Sequence, residues 1–142
     1  LELLEAWEKA LPLREARLLV RHADPAIRAR AFRVLPYVVP AGEAAPEVLR
    51  ALAEECAEVK RAACVAAARL RLVEALPALA ALLHSDEPGL VEAAARGLAE
   101  MGPRGLEVLR QELARVWRPE TAAAALAALE ELKASRYGYG RL

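Results

Sequence analysis

Asparagine is absent from this chain of 142 residues, glutamine and threonine occur once each, and serine occurs twice. Lysine is almost missing as well, three residues against seventeen arginines. So few thermolabile amides beside so many charged groups suit a protein from a thermophile. Aromatic residues make up only 4% of the chain, and strand-forming side chains are too sparse for an all-β fold. Two cysteines, Cys56 and Cys64, stand eight apart with no C-x-x-C pattern, which gives neither a disulfide framework nor a zinc site. On one helix they would lie roughly 12 Å apart, beyond bridging distance. A reducing cytoplasm is therefore the expected location. The longest uncharged run, Ala75–Ser85, has eleven residues, short of the ~20 that span a bilayer. The chain opens on Leu1 instead of Met, which leaves room for residues upstream, a membrane anchor among them. Twenty basic and twenty acidic side chains cancel, a balance that argues against a general nucleic-acid or membrane-surface binder.

What is abundant is alanine and leucine, 34 and 25 residues. Both are strong helix formers, so the expected fold class is all-α. Four segments superpose on one another, opening at Ile27, Val59, Leu90 and Thr121, with spacings of 32, 31 and 31. Each carries alanine four positions on (Ala31, Ala63, Ala94, Ala125). That spacing lays an apolar stripe along one helical face, narrow enough at its centre for a second helix to approach closely. Between these segments lie second helices, expected near Ala44–Glu54, Val73–His84 and Pro103–Val116, with Pro46, Pro77 and Pro103 in their first turns. The connectors carry the punctuation, Asp24-Pro25, Pro40-Ala41-Gly42, Ser85 to Gly89, Gly102-Pro103 and Arg118-Pro119, and Asp24 and Ser85 or Asp86 are the natural N-caps.

The unit is a helix–turn–helix of about 31 residues repeated in tandem. Asp24-Pro25-Ala26-Ile27-Arg28 with Ala31 and Leu35 carries a resemblance, as do Val59-Lys60-Arg61-Ala62-Ala63, Leu90 to Gly102 and Ala75-Leu76-Pro77-Ala78-Leu79. On these residues the chain resembles the HEAT-repeat family, in its short bacterial, lyase-type form, from Asp24 to Leu132. Cys56 stands where the first-turn Asp is usual, and Val91 and Ala122 replace the basic residue present at Arg28 and Lys60. The resemblance implies a right-handed α-solenoid of about four and a half helical hairpins forming a single array over residues 1–134. Its hairpins would lie near 1–22, 25–54, 57–84 and 87–116, with a final helix over 120–134 and a tail over 135–142.

The resemblance also implies that second helices line a concave, partner-binding face. With Leu76, Leu79, Leu82 and Leu83 taken as core, the outward positions are Glu43, Glu47, Arg50 and Glu54, then Glu74, Ala78 and Ala81, then Arg104, Val108, Gln111 and Arg115. Such a face would seat a protein segment of mixed charge; otherwise these are solvated helix surfaces. The end of the array lacks a second helix after Ala134, so Tyr137, Tyr139 and Leu142, with Leu1, Leu3, Leu4 and Trp7 at the other end, are candidates for association with a second copy or with a continuing array.

No catalytic constellation emerges. Ser85 and Ser135 lack a base, His22 and His84 each close a helix where the dipole favours them, and Glu54, Glu55 and Glu58 lack further oxygen ligands for a metal. The expected function is a non-catalytic protein-interaction scaffold, with no cofactor and no metal, whose partner is an unidentified protein or peptide. Two alternatives follow from the resemblance. One is a bilin lyase or its chaperone, since phycobilin-lyase subunits share the short repeat. The other is a DNA-binding glycosylase, which would need the arginine run of Arg14, Arg17, Arg21, Arg28, Arg30 and Arg33 on one face with stacking aromatics.

Overall fold

The computed structural model describes residues 14–138. Among them every regular element is helical. The chain divides into two compact units, 1–72 and 73–142. In the first, α1 is helical over residues 14–19, followed by α2 (Pro25–Val38), α3 (Ala41–Leu52) and α4 (Ala57–Leu70). The second opens with a 3-10 turn (Val73–Ala75) and continues with α5 (Leu76–Leu82), α6 (Pro88–Glu100), α7 (Pro103–Arg115) and α8 (Pro119–Gly138).

In the first unit α2 packs along α4, and α3 closes the wedge against both. Phe32 and Leu35 of α2, Val48 of α3 and Val59 of α4 are essentially fully buried, each worth about 1.5–3 kcal/mol by removal from water. Around them Ala62, Ala63, Ala66 and Ala67 form the stripe that lets the helices approach. In the second unit α6 packs along α8, and α5 and α7 close on α6. Leu79, Leu83, Leu90, Leu98 and Leu109 are among its large buried residues. Leu76, expected in this core, is only half-buried, because it opens α5 instead of sitting within it.

The boundaries follow local chemistry with three departures from expectation. Asp24 caps α2, its Oδ1 accepting from the Ala26 amide at 3.0 Å. At α6, however, the N-cap is Glu87. Ser85 Oγ instead accepts from the Glu87 amide at 3.1 Å and forms the turn before the cap. Second, α3 starts at Ala41, so Pro46 lies inside the helix and not in its first turn. Burial of Ala44, Ala45, Val48, Ala51 and Leu52 outweighs the one missing amide. Third, α8 runs on to Gly138, which makes residues 135–138, expected as tail, helical. Thr121, which replaces the aliphatic residue opening the other repeats, is buried, and its hydroxyl donates to the Leu83 carbonyl at 2.8 Å at the end of α5.

Two glycines report how tightly the backbones meet. A Cβ on Gly105 of α7 would fall inside the contact shell of the Leu98 carbonyl on α6, whereas a Cβ on Gly42 of α3 would meet nothing within 4 Å. Gly105→Ala should therefore destabilise the chain by about 1–3 kcal/mol through overpacking. Gly42→Ala should stabilise it by about 0.5–1 kcal/mol through helix propensity. Urea unfolding of the two variants beside the wild type checks both signs.

Candidate functional site

The outward side of the second helices is built on ion pairs between elements. In the first unit the pairs are evenly spaced: Arg17 with Glu43, Arg21 with Glu47 and Arg28 with Glu54 all join residues 26 apart. A guanidinium from α1 or its end, or from the start of α2, thus reaches a carboxylate on α3 or just beyond it. Arg28 does most. Its Nε donates to Glu54 Oε1 at 3.0 Å, and its Nη1 donates to the carbonyls of His22 at 2.7 Å and Ala23 at 2.9 Å. The connector before α2 is stitched to the end of α3 by one side chain.

Glu47 is the centre of the exposed part. Only 14% of its side chain is accessible, and it accepts from Arg21 at 2.7 Å and from Arg50 of its own helix. Arg50 is half exposed, its guanidinium held by a carboxylate three residues earlier. A groove of about 820 Å³ runs between α1 and α3, lined by Arg14, Arg17, Arg21, Glu43 and Glu47 with Leu18 and Pro46.

The second unit repeats this device with other residues. Glu112 of α7, 17% accessible, bonds Arg115 at 2.8 Å and His84 Nε2 at 2.8 Å. A carboxylate can only accept, so His84 donates through Nε2–H. The Arg115 bond first, then the His84 bond, pull the Glu112 carboxyl down to about 2. His84, which the sequence assigned to the helix dipole, is thus a cross-helix tie, and its buried Nδ1 has no partner among the described residues. Gln111 donates to Glu107 at 3.2 Å, Arg104 is exposed, Ala81 is exposed and Ala78 half-buried.

The expected site residues therefore divide. Glu47 and Glu54 are committed to arginines inside the chain, while Arg50, Ala81, Arg104, Gln111 and Arg115 are presented to solvent. Tyr139 and Leu142, like Leu1, Leu3, Leu4 and Trp7, lie outside the described residues, as does the side chain of Tyr137. Arg17, Arg21, His84 and Glu112 were not among the residues expected on the partner-binding face. The constant separation of 26 between Arg17, Arg21 and Arg28 and their glutamates was the signal that could have found the first unit's pairs.

Burial pushes the Cys64 thiol up to about 12, which leaves it an inert core residue. Among the described residues no group of three or more His, Cys, Asp or Glu side chains is placed to hold a metal ion. No described helix is long and apolar enough to cross a membrane. The arginine run does not share one face: Arg17, Arg21 and Arg28 are turned to the second-helix carboxylates, Arg30 and Arg33 are exposed and unpaired among the described residues, and Phe32 between them is core.

A family model for HEAT repeats matches residues 15–99, more than half of the chain. The chain belongs to the HEAT-repeat family. No curated protein and no solved structure matches it. The match runs from α1 to the end of α6. HEAT repeats generally mediate protein–protein interaction, and the family is typically a non-enzymatic scaffold.

Two measurements probe the polar framework of the HEAT units. Arg28→Ala strands the half-buried Glu54 and two carbonyls, so it should cost about 1–3 kcal/mol in urea unfolding. Arg28→Lys, without the planar fork, should restore only part of that. Glu112 has its carboxyl pK depressed on folding, so its contribution is present above the unfolded value of about 4.3 and is lost as pH falls through the folded value. The stability gap between wild type and Glu112→Gln should be level from neutral pH to about pH 5 and shrink progressively toward pH 2.

Proposed function

We propose that the chain is a non-catalytic scaffold that binds a protein or peptide on its second-helix faces. In the first unit the contact residues are Arg50, with Glu47 and Glu54 behind it; in the second they are Ala78, Ala81, Arg104, Gln111 and Arg115. One observation carries the reading. Each unit presents an exposed arginine, Arg50 or Arg115, held by a shielded glutamate three residues earlier that is itself anchored to another element, by Arg21 or His84. A guanidinium fixed this way loses little side-chain entropy when it meets a carboxylate or carbonyl of a partner. The small side chains of Ala78 and Ala81 leave room for a partner backbone near α5. Nothing in this arrangement breaks or makes a bond, and it calls for no cofactor.

Self-association through the exposed side of α8 and the residues after it is a second reading. Leu126 and Leu129 are exposed there, and Tyr137, Tyr139 and Leu142 follow them in sequence.

The test is a pull-down from source-organism lysate with wild type and Arg50→Glu/Arg115→Glu, read by mass spectrometry. A protein enriched by the wild type and depleted at least tenfold by the double variant is the expected outcome. Equal recovery by both would remove the site from these faces. A wild-type dimer in light scattering that Leu126→Asp dissolves would favour the second reading.

A further inference from the structure

The first unit carries another candidate surface, on its first helices. The exposed charged side chains of α2 and α4 are all arginines, Arg30 and Arg33 on the one and Arg61 and Arg69 on the other, while Arg28, Glu58 and Lys60 are half-buried. Among the described residues none of the four lies within ion-pair distance of a carboxylate, in contrast to Arg17, Arg21 and Arg28 of the same unit. Their angular spacing places Arg30, Arg33, Val34 and Tyr37 within one face of α2, and Arg61, Val65 and Arg69 along one stripe of α4. The two helices are packed together. Tyr37 and Arg69, which occupy the same position of successive repeats, meet with the guanidinium carbon 6.0 Å from the ring centroid.

The centre of this face is apolar. Tyr37 is 70% exposed, and Val34 and Val65 are exposed beside it. Arg30 and Val34 also line a cleft of about 370 Å³ with Leu19, Ile27 and Ala31, to which α1 adds Glu15 and Ala16. The basic character belongs to this unit and is not a uniform consequence of arginine-rich composition. Thirty-one residues after Arg61, Val65 and Arg69, the next repeat has Glu92, Arg96 and Glu100, and there Arg96 is paired with Glu131.

We infer that the α2–α4 face binds an acidic protein segment bearing apolar side chains. Unpaired guanidiniums supply the charge complement, and an exposed tyrosine among arginines is the composition enriched at interface centres. Val34, Val65 and the adjoining cleft take the apolar side chains. A nucleic-acid strand fits less well: stacking platforms need successive aromatics, and this face has one, already covered by Arg69. The inference goes beyond the second-helix scaffold reading and uses none of its residues.

The test is affinity selection of a phage-displayed random peptide library on the full chain, with Arg61→Glu/Arg69→Glu and Tyr37→Ala chains as counter-targets. Enriched peptides should be rich in Asp and Glu interspersed with Leu, Phe or Trp. A labelled synthetic copy of the leading sequence should bind the wild type in fluorescence anisotropy and lose about tenfold in affinity with either variant. Its affinity should also fall as NaCl is raised. The substituted side chains are exposed, and an unchanged thermal transition confirms that the variants fold. Peptides with no acidic bias, or binding indifferent to both variants, overturn the inference. So does a labelled single-stranded oligonucleotide that binds more tightly than the peptide and is lost in the same variants. A wild-type dimer dissolved by Arg61→Glu/Arg69→Glu would give the face to a second copy and overturn it equally.

Discussion

Close approach between helix backbones is the constraint on which the rest of this chain rests. Phe32 is the one aromatic ring buried among the described residues; the units otherwise remove space by bringing helices together over alanine. Ala62, Ala63, Ala66 and Ala67 on α4 and Ala94, Ala95 and Ala99 on α6 are nearly inaccessible, and at Gly105 even a methyl group is too much. An alanine interface buries little area per residue, so its stability comes from many contacts at van der Waals distance and from the low entropy cost of ordering alanine. Such an interface tolerates enlargement poorly. It also fixes helix rotation, because only the alanine stripe can face inward. That rotation determines which side chains of α3 and α7 are left outside.

Rotation alone does not hold long polar side chains in place, and the buried ends of the ion pairs do that work. Glu47 and Glu112 lie on different helices, within different units, and have different partners, yet each joins a basic group from another element to an arginine one turn along. The exposed arginine alone would count for little toward stability, since surface pairs are screened and entropically costly. A shielded carboxylate with two donors is better satisfied than one with a single donor. The consequence for recognition is that Arg50 and Arg115 are restrained before any partner arrives. Arg30, Arg33, Arg61 and Arg69 differ in having no carboxylate of the described residues within ion-pair distance, which leaves their charge for a partner.

The fold was legible because its signal is periodic and local. Spacings of 32, 31 and 31 placed all four first helices, and Asp24 announced its cap directly. Boundaries governed by competition were less legible. Pro46 reads as a first-turn proline until the buried face of α3 is seen to extend on both sides of it. Ser85 and Asp86 read as caps until the turn made by Ser85 passes that role to Glu87. The candidate site was legible only as a list of outward positions. Whether Glu47 or Glu54 is free depends on an arginine 26 residues away, and that distance in space is set by the helix rotation described above. The same blindness hid His84, whose local reading as a helix terminus was complete without Glu112.

Thr121 and the leucines after it show how far a repeat pattern can be read as a burial pattern. Phe32 and Ala95, five positions into their segments, and Leu35 and Leu98, eight positions in, are buried. At the same positions of α8, Leu126 and Leu129 are exposed, Leu126 at 62%. The side chains are no less apolar than their counterparts. What differs is the neighbourhood: α2 is followed in its own unit by α4, and α6 by α8, each laid along its predecessor, whereas no described helix follows α8. The half of α8 that faces backward behaves as expected, with Ala124, Ala125 and Ala128 buried and Thr121 bonded to the Leu83 carbonyl. In a repeat protein, hydrophobicity therefore specifies a contact with the next unit, and burial follows only where that unit is present.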